Sequence, residues 1–354
     1  MEPYKCGMIP GPSGQRSADI DDEFYELYDS VTKKLEKMLY APKGSAVVMV
    51  GEGMLALWAG LKSTLKPGDK VLSVATGIYG YGIADMCRDM GAVVEVVGTE
   101  YNETVSDGLL NQIRTKAEEF KPKLITAVHC ETPSGTLNDR LGDVGKISAS
   151  VGSLFYVDFV SSGMGAHVNV SDWHIDIGLL GSQKVLSLRP DLSILTVSSR
   201  AWSVIDEVNY KGYEALKGWR NVVEEKYCPY THNWPSMIEL NNALDAFIKE
   251  GLDNSIKRHD DVAKYCRQRL LTMGLKLHVA EGSTPSPTIT ACYVPDGISW
   301  KDLDNKLRSK GVVVGGNYGK LKDKVFRIGH MGVQADMKMV KEALDAIEAI
   351  IEKK

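Results

Sequence analysis

The chain alternates short apolar, β-branched segments with helical segments over most of its 354 residues. Gly and Pro punctuate the apolar runs, which is typical of strands covered on both faces. Strand–helix alternation predicts an α/β fold with a mostly parallel sheet and helices on both sides. The predicted strands are 45–50, 70–75, 92–97, 123–129, 154–160, 176–182 and 193–198, and the helices predicted among them are 21–40, 53–65 and 81–90.

The length of the chain suggests about two domains. After Pro235, a long helical stretch over 236–274 connects to a region with strands at 288–294 and 324–330 and a last helix beginning near Met337. We therefore expect an N-terminal arm (1–20), a large cofactor-binding domain (21–250) and a smaller C-terminal α+β domain (251–354).

Composition excludes several classes of partner. A net charge of −4 gives no reason to expect nucleic acid or an anionic membrane surface, and no segment reaches the roughly 18 apolar residues of a membrane span. The six cysteines are scattered, without CxxC pairs or Cys–His spacing typical of zinc. We expect no metal and a cytoplasmic location, where thiols stay reduced.

Unusual residues fall where several predicted strands end. Glycine-rich or polar stretches follow three of them, and Asp158 and Lys184 stand in otherwise apolar surroundings. In an open α/β sheet, ligands bind beyond the carboxyl ends of the strands. The pattern therefore predicts one cofactor-sized site, built from VGEG (50–53), TGIYGYG (76–82), HCETPSGT (129–136), Asp158 and Lys184.

Asp158 and Lys184 together favour one kind of cofactor. A carboxylate in an apolar strand needs a partner, or else its pKa rises. A desolvated lysine can act as a nucleophile and form a Schiff base with an aldehyde. Pyridoxal phosphate uses both groups, because its aldehyde binds lysine and its pyridinium nitrogen pairs with an acid. The pair alone is also compatible with ordinary structural roles.

Motifs in a fixed order extend this interpretation over nearly the whole chain. They resemble the class V aminotransferases of fold type I, and most closely the alanine–glyoxylate/serine–pyruvate and pyridoxamine–pyruvate branches. The resemblance implies a large domain with a mostly parallel sheet and a smaller α+β domain. The motifs are GPS (11–13), GEGMLAL (51–57), PGD (67–69), GIYG (77–80), HCETPSGT (129–136), DFVSSG (158–163), GSQK (181–184), RAW (200–202), SPT (286–288) and KVFRIGHMG (324–332).

The resemblance implies roles for individual residues. Lys184 would be the Schiff-base lysine and proton shuttle, and Asp158 would pair with the pyridinium nitrogen. Tyr79 would stack on the pyridine face, Thr132 would bind the ring hydroxyl, and Gln183 would donate to the phenolate or phosphate end. The start of the helix after the first strand would hold the phosphate through the backbone of Gly51, Gly53 and Met54, and Glu52 would be a further cofactor-binding residue there.

Three further residues would complete the site. Arg327, in VFRIGHMG, would bind the substrate carboxylate through its planar guanidinium group. Tyr230 and Asn233, in PYTHNWP, would reach the phosphate of a neighbouring subunit, which implies a homodimer with shared active sites. The buried-looking histidines His129 and His330 are expected to pack rather than react.

Glu52 leaves two functions open, because a carboxylate close to a phosphate dianion is costly where water is excluded. If Glu52 turns outward, the chain is a pyridoxal 5′-phosphate-dependent aminotransferase. It would move an amino group between alanine or serine and pyruvate or glyoxylate by a ping-pong Schiff-base mechanism. If Glu52 faces the ligand, the chain resembles pyridoxamine–pyruvate aminotransferase, which takes free pyridoxamine and pyridoxal as substrates. A fold type I lyase would need a reactive cysteine, and Cys292 lies within a predicted strand.

Overall fold

A seven-stranded sheet forms the centre of the computed structural model, which describes residues 17–18 and 20–352. Its strand order is β1-β9-β8-β7-β4-β2-β3. The strands of the chain are β1 (Ala46–Val50), β2 (Lys70–Ala75), β3 (Val93–Gly98), β4 (Leu124–Val128), β5 (Cys130–Glu131), β6 (Thr136–Leu137), β7 (Leu154–Asp158), β8 (Ile177–Gly181), β9 (Leu192–Val197), β10 (Ile289–Tyr293) and β11 (Val325–Gly329).

The sheet is mostly parallel, which confirms the predicted fold class. Within it, β3, β2, β4, β7 and β8 pair in parallel, whereas β9 runs antiparallel to both β8 and β1. Since β9 alone is reversed in this sheet, the loops that follow β1, β2, β4, β7 and β8 all emerge at one edge. The remaining strands form two separate antiparallel pairs, β5 with β6 and β10 with β11.

Helices cover the sheet and build the C-terminal part. They are α1 (Asp22–Met38), α2 (Gly53–Thr64), α3 (Ile78–Asp89), α4 (Asp107–Phe120), α5 (Leu141–Ser150), α6 (Ser199–Val208), α7 (Val222–Glu225), α8 (Trp234–Glu250), α9 (Leu252–Thr272), α10 (Trp300–Ser309) and α11 (Met337–Ile351). None of the helices in the described residues is long and apolar enough to cross a membrane.

Three details of the predicted elements were wrong. The helix expected over 236–274 is two helices, because Gly251 has φ = 86° and turns the chain between α8 and α9. The helix expected from residue 81 begins at Ile78. The strand expected over 154–160 ends at Asp158, whose Oδ1 accepts a hydrogen bond of 2.8 Å from the backbone amide of Val160.

Buried apolar side chains form two main clusters. The larger one surrounds the seven-stranded sheet, and the second joins α9 with β10, α10, β11 and α11. We propose the boundary between the large and the small domain at Gly251, ahead of α9, whose Val262, Cys266 and Leu270 belong to the second cluster. The expected N-terminal arm (1–20) and the GPS motif (11–13) lie almost entirely outside the described residues.

Candidate active site

Asp158 is the last residue of β7 and is buried, with 6% of its surface exposed. Burial raises the pKa of its carboxyl group to about 6, although the amide of Val160 and the charge of Lys184 both act in the opposite direction. A cationic partner would therefore stabilise its ionised form strongly.

Lys184 lies three residues after the end of β8, in the loop that returns to β9. Its amine makes no hydrogen bond or ion pair with any residue between 20 and 352. Burial lowers the pKa of Lys184, and the charge of Arg327 lowers it further. A half-buried amine with a lowered pKa is a better nucleophile toward a carbonyl group than an exposed lysine.

One cavity joins these two residues at the edge where the parallel strands end. Its empty space, including the open mouth, is about 460 Å³. Most of the predicted cofactor residues line it together. The lining residues are Glu52, Gly53, Met54, Leu57, Tyr79, Cys130, Thr132, Asp158, Val160, Ser161, Gln183 and Lys184.

Unsatisfied polar groups in this cavity fit a pyridine-ring cofactor with a phosphate. The side-chain Oε1 of Gln183 is buried without a hydrogen-bond partner among the described residues. Helix α2 begins at Gly53. In the part of the chain that the structure describes, no atom accepts a hydrogen bond from the backbone amides of Gly53 and Met54. A helix N-terminus with unpaired amides is a ready anion site. Together with Asp158 and Lys184, the two amides match the phosphate, ring and aldehyde of pyridoxal phosphate, whereas Oε1 of Gln183 is an acceptor and would need a donor group on the ligand.

Glu52 occupies the N-cap position of α2, but its side chain does not cap the helix. The carboxylate is exposed, and its Oε2 accepts a long hydrogen bond of 3.5 Å from Nε2 of Gln183. It also lines the cavity and favours the protonated form of Lys184. Glu52 thus lies at the N-terminus of α2, with enough contact with solvent for its charge to be screened.

Glu131 is a residue of this site that the sequence reasoning did not select. Its fully buried carboxylate accepts the amides of Tyr79 at 3.0 Å and Gly80 at 2.7 Å, in the first turn of α3. A Cβ atom at Gly77 would lie 2.5 Å from its Cδ. Burial raises the pKa of Glu131 to about 7; the two amides oppose the rise, and the charge of Asp158 adds to it. Glu131 therefore fixes the backbone that carries Tyr79.

Tyr79, Tyr318 and Arg327 form a contiguous group beside the cavity. The hydroxyl of Tyr318 donates to the hydroxyl of Tyr79 at 2.6 Å, and burial raises the pKa of Tyr79 above its usual range. The guanidinium carbon of Arg327 lies 5.4 Å from the ring centre of Tyr318. Arg327 does not line the cavity itself, but its charge acts on Lys184.

The polar residues around the cavity are held by neighbouring side chains. Thr132 and Ser161 share a hydrogen bond of 2.5 Å between their hydroxyls. His129 contacts Ser162 through Nδ1 at 2.9 Å, and burial lowers its pKa to about 3. His330 is likewise fully buried. Both imidazoles are neutral at physiological pH, which suits packing rather than proton transfer.

Tyr230 and Asn233 are not among the residues that line the cavity. Tyr230 is 39% exposed and stacks on Tyr213, with ring centres 4.1 Å apart. Asn233 is the N-cap of α8, where its Oδ1 accepts the amide of Ser236 at 3.2 Å. Their predicted contact with a neighbouring subunit stays a prediction.

The sheet, the C-terminal unit and the lysine and aspartate that line one cavity together define a fold type I aminotransferase. Residues 13–321 match the aminotransferase class-V family, and the chain belongs to that family. Class V aminotransferases are enzymes that depend on pyridoxal 5′-phosphate, so this protein is a transaminase.

Individual relatives agree with this assignment. The chain is 33% identical to an uncharacterized aminotransferase of Methanocaldococcus jannaschii, over 93% of this chain and 88% of the relative. It is 32% identical to pyridoxamine–pyruvate transaminase of Mesorhizobium japonicum, over 93% of this chain and 84% of the relative. The crystal structure of alanine–glyoxylate aminotransferase from Nostoc superposes with a TM-score of 0.88 at 28% identity, covering 99% of this chain and 95% of the other.

Proposed function

We propose that this chain is a pyridoxal 5′-phosphate-dependent aminotransferase that moves an amino group between a small amino acid and a 2-oxo acid by ping-pong transfer. Alanine or serine would be the donor, and glyoxylate or pyruvate the acceptor. The observation that carries the proposal is the partner-free amine of Lys184 in one cavity with the buried carboxylate of Asp158. Relatives named for alanine–glyoxylate and serine–glyoxylate transfer support the choice of substrates.

Different residues would bind different parts of the cofactor. Asp158 would pair with the ring nitrogen and Thr132 would bind the ring hydroxyl. The amides of Gly53 and Met54 would hold the phosphate. When bound, the cofactor supplies an aldehyde and a conjugated ring that accepts the electron pair released at the substrate Cα.

Two further residues would act on the substrate. Arg327 would bind the carboxylate, which fixes the Cα–H bond in front of Lys184. The pKa of the Lys184 amine is lowered by burial, and this amine would carry the proton between Cα of the substrate and C4′ of the cofactor.

The decisive test compares Lys184→Ala with Lys257→Ala, a matched change at an exposed lysine on α9 that pairs with Asp261. The wild type should carry a visible chromophore that borohydride fixes covalently on the peptide containing Lys184. We expect Lys184→Ala to lose at least about 10³-fold in turnover of alanine with glyoxylate, and Lys257→Ala to stay near wild type. Turnover retained by Lys184→Ala would refute the assignment.

A second candidate function is pyridoxamine–pyruvate transfer. It is favoured by Glu52, whose carboxylate lines the cavity where a phosphate would bind, and by the 32% identical relative of that name. In this case, pyridoxamine and pyruvate would yield pyridoxal and alanine, and the purified protein would contain no phosphorylated cofactor. Mass spectrometry of the bound species separates the two functions. A stoichiometric phosphate-bearing cofactor would leave the first proposal standing alone.

A lyase has less support. Chains with cysteine desulfurase function share the fold at 15% identity, which concerns architecture alone. Cys292 lies buried inside β10, and burial raises the pKa of its thiol to about 12. A thiol in that position is a poor nucleophile.

We further propose a homodimer in which Tyr230 and Asn233 complete the active site of the other subunit. Tyr213, Tyr227 and Tyr230 place exposed aromatic surface on one region of the chain, which suits an interface. Mixing Lys184→Ala with Tyr230→Ala protein should restore activity, because the mixed dimer contains one site with both residues intact. Absence of restoration in a verified mixed dimer would argue for sites within one subunit.

The cytoplasm is the location we propose for this enzyme. Cys87, Cys130 and Cys266 are buried free thiols, which suit a reducing compartment. Labelling of an epitope-tagged chain in fractionated cells would test this placement.

A further inference from the structure

Tyr318 joins two functional residues that come from different parts of the chain. Its hydroxyl donates to Tyr79, a residue of the cavity lining on α3, at 2.6 Å. The face of its ring meets the guanidinium group of Arg327 on β11, at 5.4 Å from the ring centre. The phenol therefore fills the space between the wall of the cavity and the arginine.

The segment that carries Tyr318 is held in place on both sides. Gly315 exchanges both backbone hydrogen bonds with Arg327, at 2.9 and 2.7 Å. The side chain of Asn317 donates to the carbonyl of Pro133 at 2.7 Å, in the loop that also carries Thr132. Tyr318 is 39% exposed, so its position depends on these anchors and on its two ring contacts rather than on burial in a core.

Arg327 has only part of its guanidinium group free. Its Nε donates to the carbonyl of Gly316 at 2.8 Å, whereas its terminal nitrogens make no hydrogen bond with any residue between 20 and 352. A carboxylate must therefore approach from the side of the terminal nitrogens. The ring of Tyr318 and the hydroxyl pair with Tyr79 limit what can extend beside that carboxylate.

We propose that Tyr318 is a specificity-determining residue that restricts this site to amino and oxo acids with short side chains. The inference rests on the proposed function, because it assumes that Arg327 binds the carboxylate. A methyl or hydroxymethyl group would then fit beside the ring of Tyr318, and a branched four-carbon side chain would collide with it. The ring of Tyr318, rather than its hydroxyl, would exclude the longer side chains. The hydrogen bond between the hydroxyls of Tyr318 and Tyr79 would fix the angle of the ring.

Two variants separate the ring from the hydroxyl. Tyr318→Ala removes the ring and opens the space, and Tyr318→Phe keeps the ring and removes the hydrogen bond to Tyr79. Because Tyr318 is partly exposed, we expect both variants to fold, which the thermal midpoint of each holoenzyme verifies.

The experiment measures binding and turnover separately on the holoenzymes. Titration calorimetry with propionate and with 4-methylpentanoate gives the binding preference without any reaction. Steady-state rates with alanine and with leucine, each with glyoxylate, give the catalytic preference. We expect Tyr318→Ala to shift both preferences toward the longer compound by at least about 10-fold, and Tyr318→Phe to change them by less than about 3-fold.

Each outcome bears on a different claim. A binding preference that Tyr318→Ala leaves unchanged overturns the proposed exclusion, whatever the turnover. A shift in Tyr318→Phe as large as in Tyr318→Ala also overturns it, because the hydroxyl would then be responsible. If the binding preference shifts but wild-type protein transfers no amino group from alanine, the selective role of Tyr318 stands and the proposed function fails.

Discussion

Replacement of Glu131 by Gln should change how the stability of this enzyme depends on pH. The carboxylate is fully buried, and its pKa is raised from the usual 4.5 to about 7. Between pH 4.5 and 7 the folded chain therefore keeps a proton that the unfolded chain has released. Because the folded state binds more protons in this window, the free energy of unfolding falls as the pH rises. The contribution is fully present below pH 4.5 and is lost by about pH 7.

The size of the effect follows from the pKa. At about 1.36 kcal/mol per pH unit, the rise to about 7 corresponds to about 3 kcal/mol. Unfolding entropy of about 2 cal/mol/K per residue gives about 0.7 kcal/mol/K for this chain, so the effect on the thermal midpoint is about 4 °C. Glu131→Gln removes the titration but turns an amide NH₂ group toward the backbone amide of Tyr79 or Gly80. That lost acceptor costs about 1–3 kcal/mol at every pH.

The assay is scanning calorimetry of the wild type, Glu131→Gln and Glu118→Gln at pH values from 4.5 to 8. Glu118 provides the same chemical change at an exposed position of α4. We expect Glu131→Gln to be less stable than the wild type at pH 4.5, and we expect the difference in thermal midpoint to shift by about 4 °C in favour of the variant by pH 8, which closes or reverses the gap. A gap that stays constant across the series would refute the argument that the folded chain holds a proton on Glu131.

Other substitutions test the same geometry. Gly77→Ala should push a Cβ atom against the carboxyl group of Glu131, 2.5 Å away, and lower the thermal midpoint with a loss of about 1–3 kcal/mol; wild-type stability would contradict this close contact. Asp158→Asn should reduce kcat/KM for alanine by about 10–100-fold through loss of a charged partner for the cofactor ring, and a change under two-fold in steady-state rates would count against that role. Gly251→Ala should destabilise the chain by about 1 kcal/mol in denaturant unfolding, because its φ of 86° suits glycine, and no loss would show that the turn relaxes.

The central sheet could be predicted from sequence because its strands are short, apolar and separated by turn residues. The break at Gly251 was missed, since helical periodicity continues on both sides of it and a single glycine can also lie within a helix. The start of α3 was placed too late for a different reason. The glycines around Tyr79 resemble a loop, and the carboxylate that caps this helix comes from Glu131, which is distant in sequence.

The sequence also predicted some residues of the site and missed others, because some roles depend on neighbours in the sequence and others on contacts in the folded chain. Lys184 and Asp158 were selected because a charged residue in an apolar strand needs a chemical reason, and the structure brings both to one cavity. Glu131 stands in the same motif as Thr132, but its function depends on a helix over fifty residues away. Tyr318 carries no sequence signal of its own, because its contact with Tyr79 joins residues more than two hundred positions apart and exists only in the folded chain.

The antiparallel direction of β9 has a consequence for the exchange of amide protons in the loop that bears Lys184. The loop bearing Lys184 leaves β8 and returns directly into its sheet neighbour, and it is closed by hydrogen bonds from Ser182 to Leu192 and from Leu188 to Ser182. The amide protons of Ser182 and Leu188, which make these bonds, should therefore exchange with solvent more slowly than the unbonded amides of the same loop. Lys184 therefore stands in a loop braced by the central sheet, whereas Arg327 belongs to the separate two-stranded pair of β10 and β11.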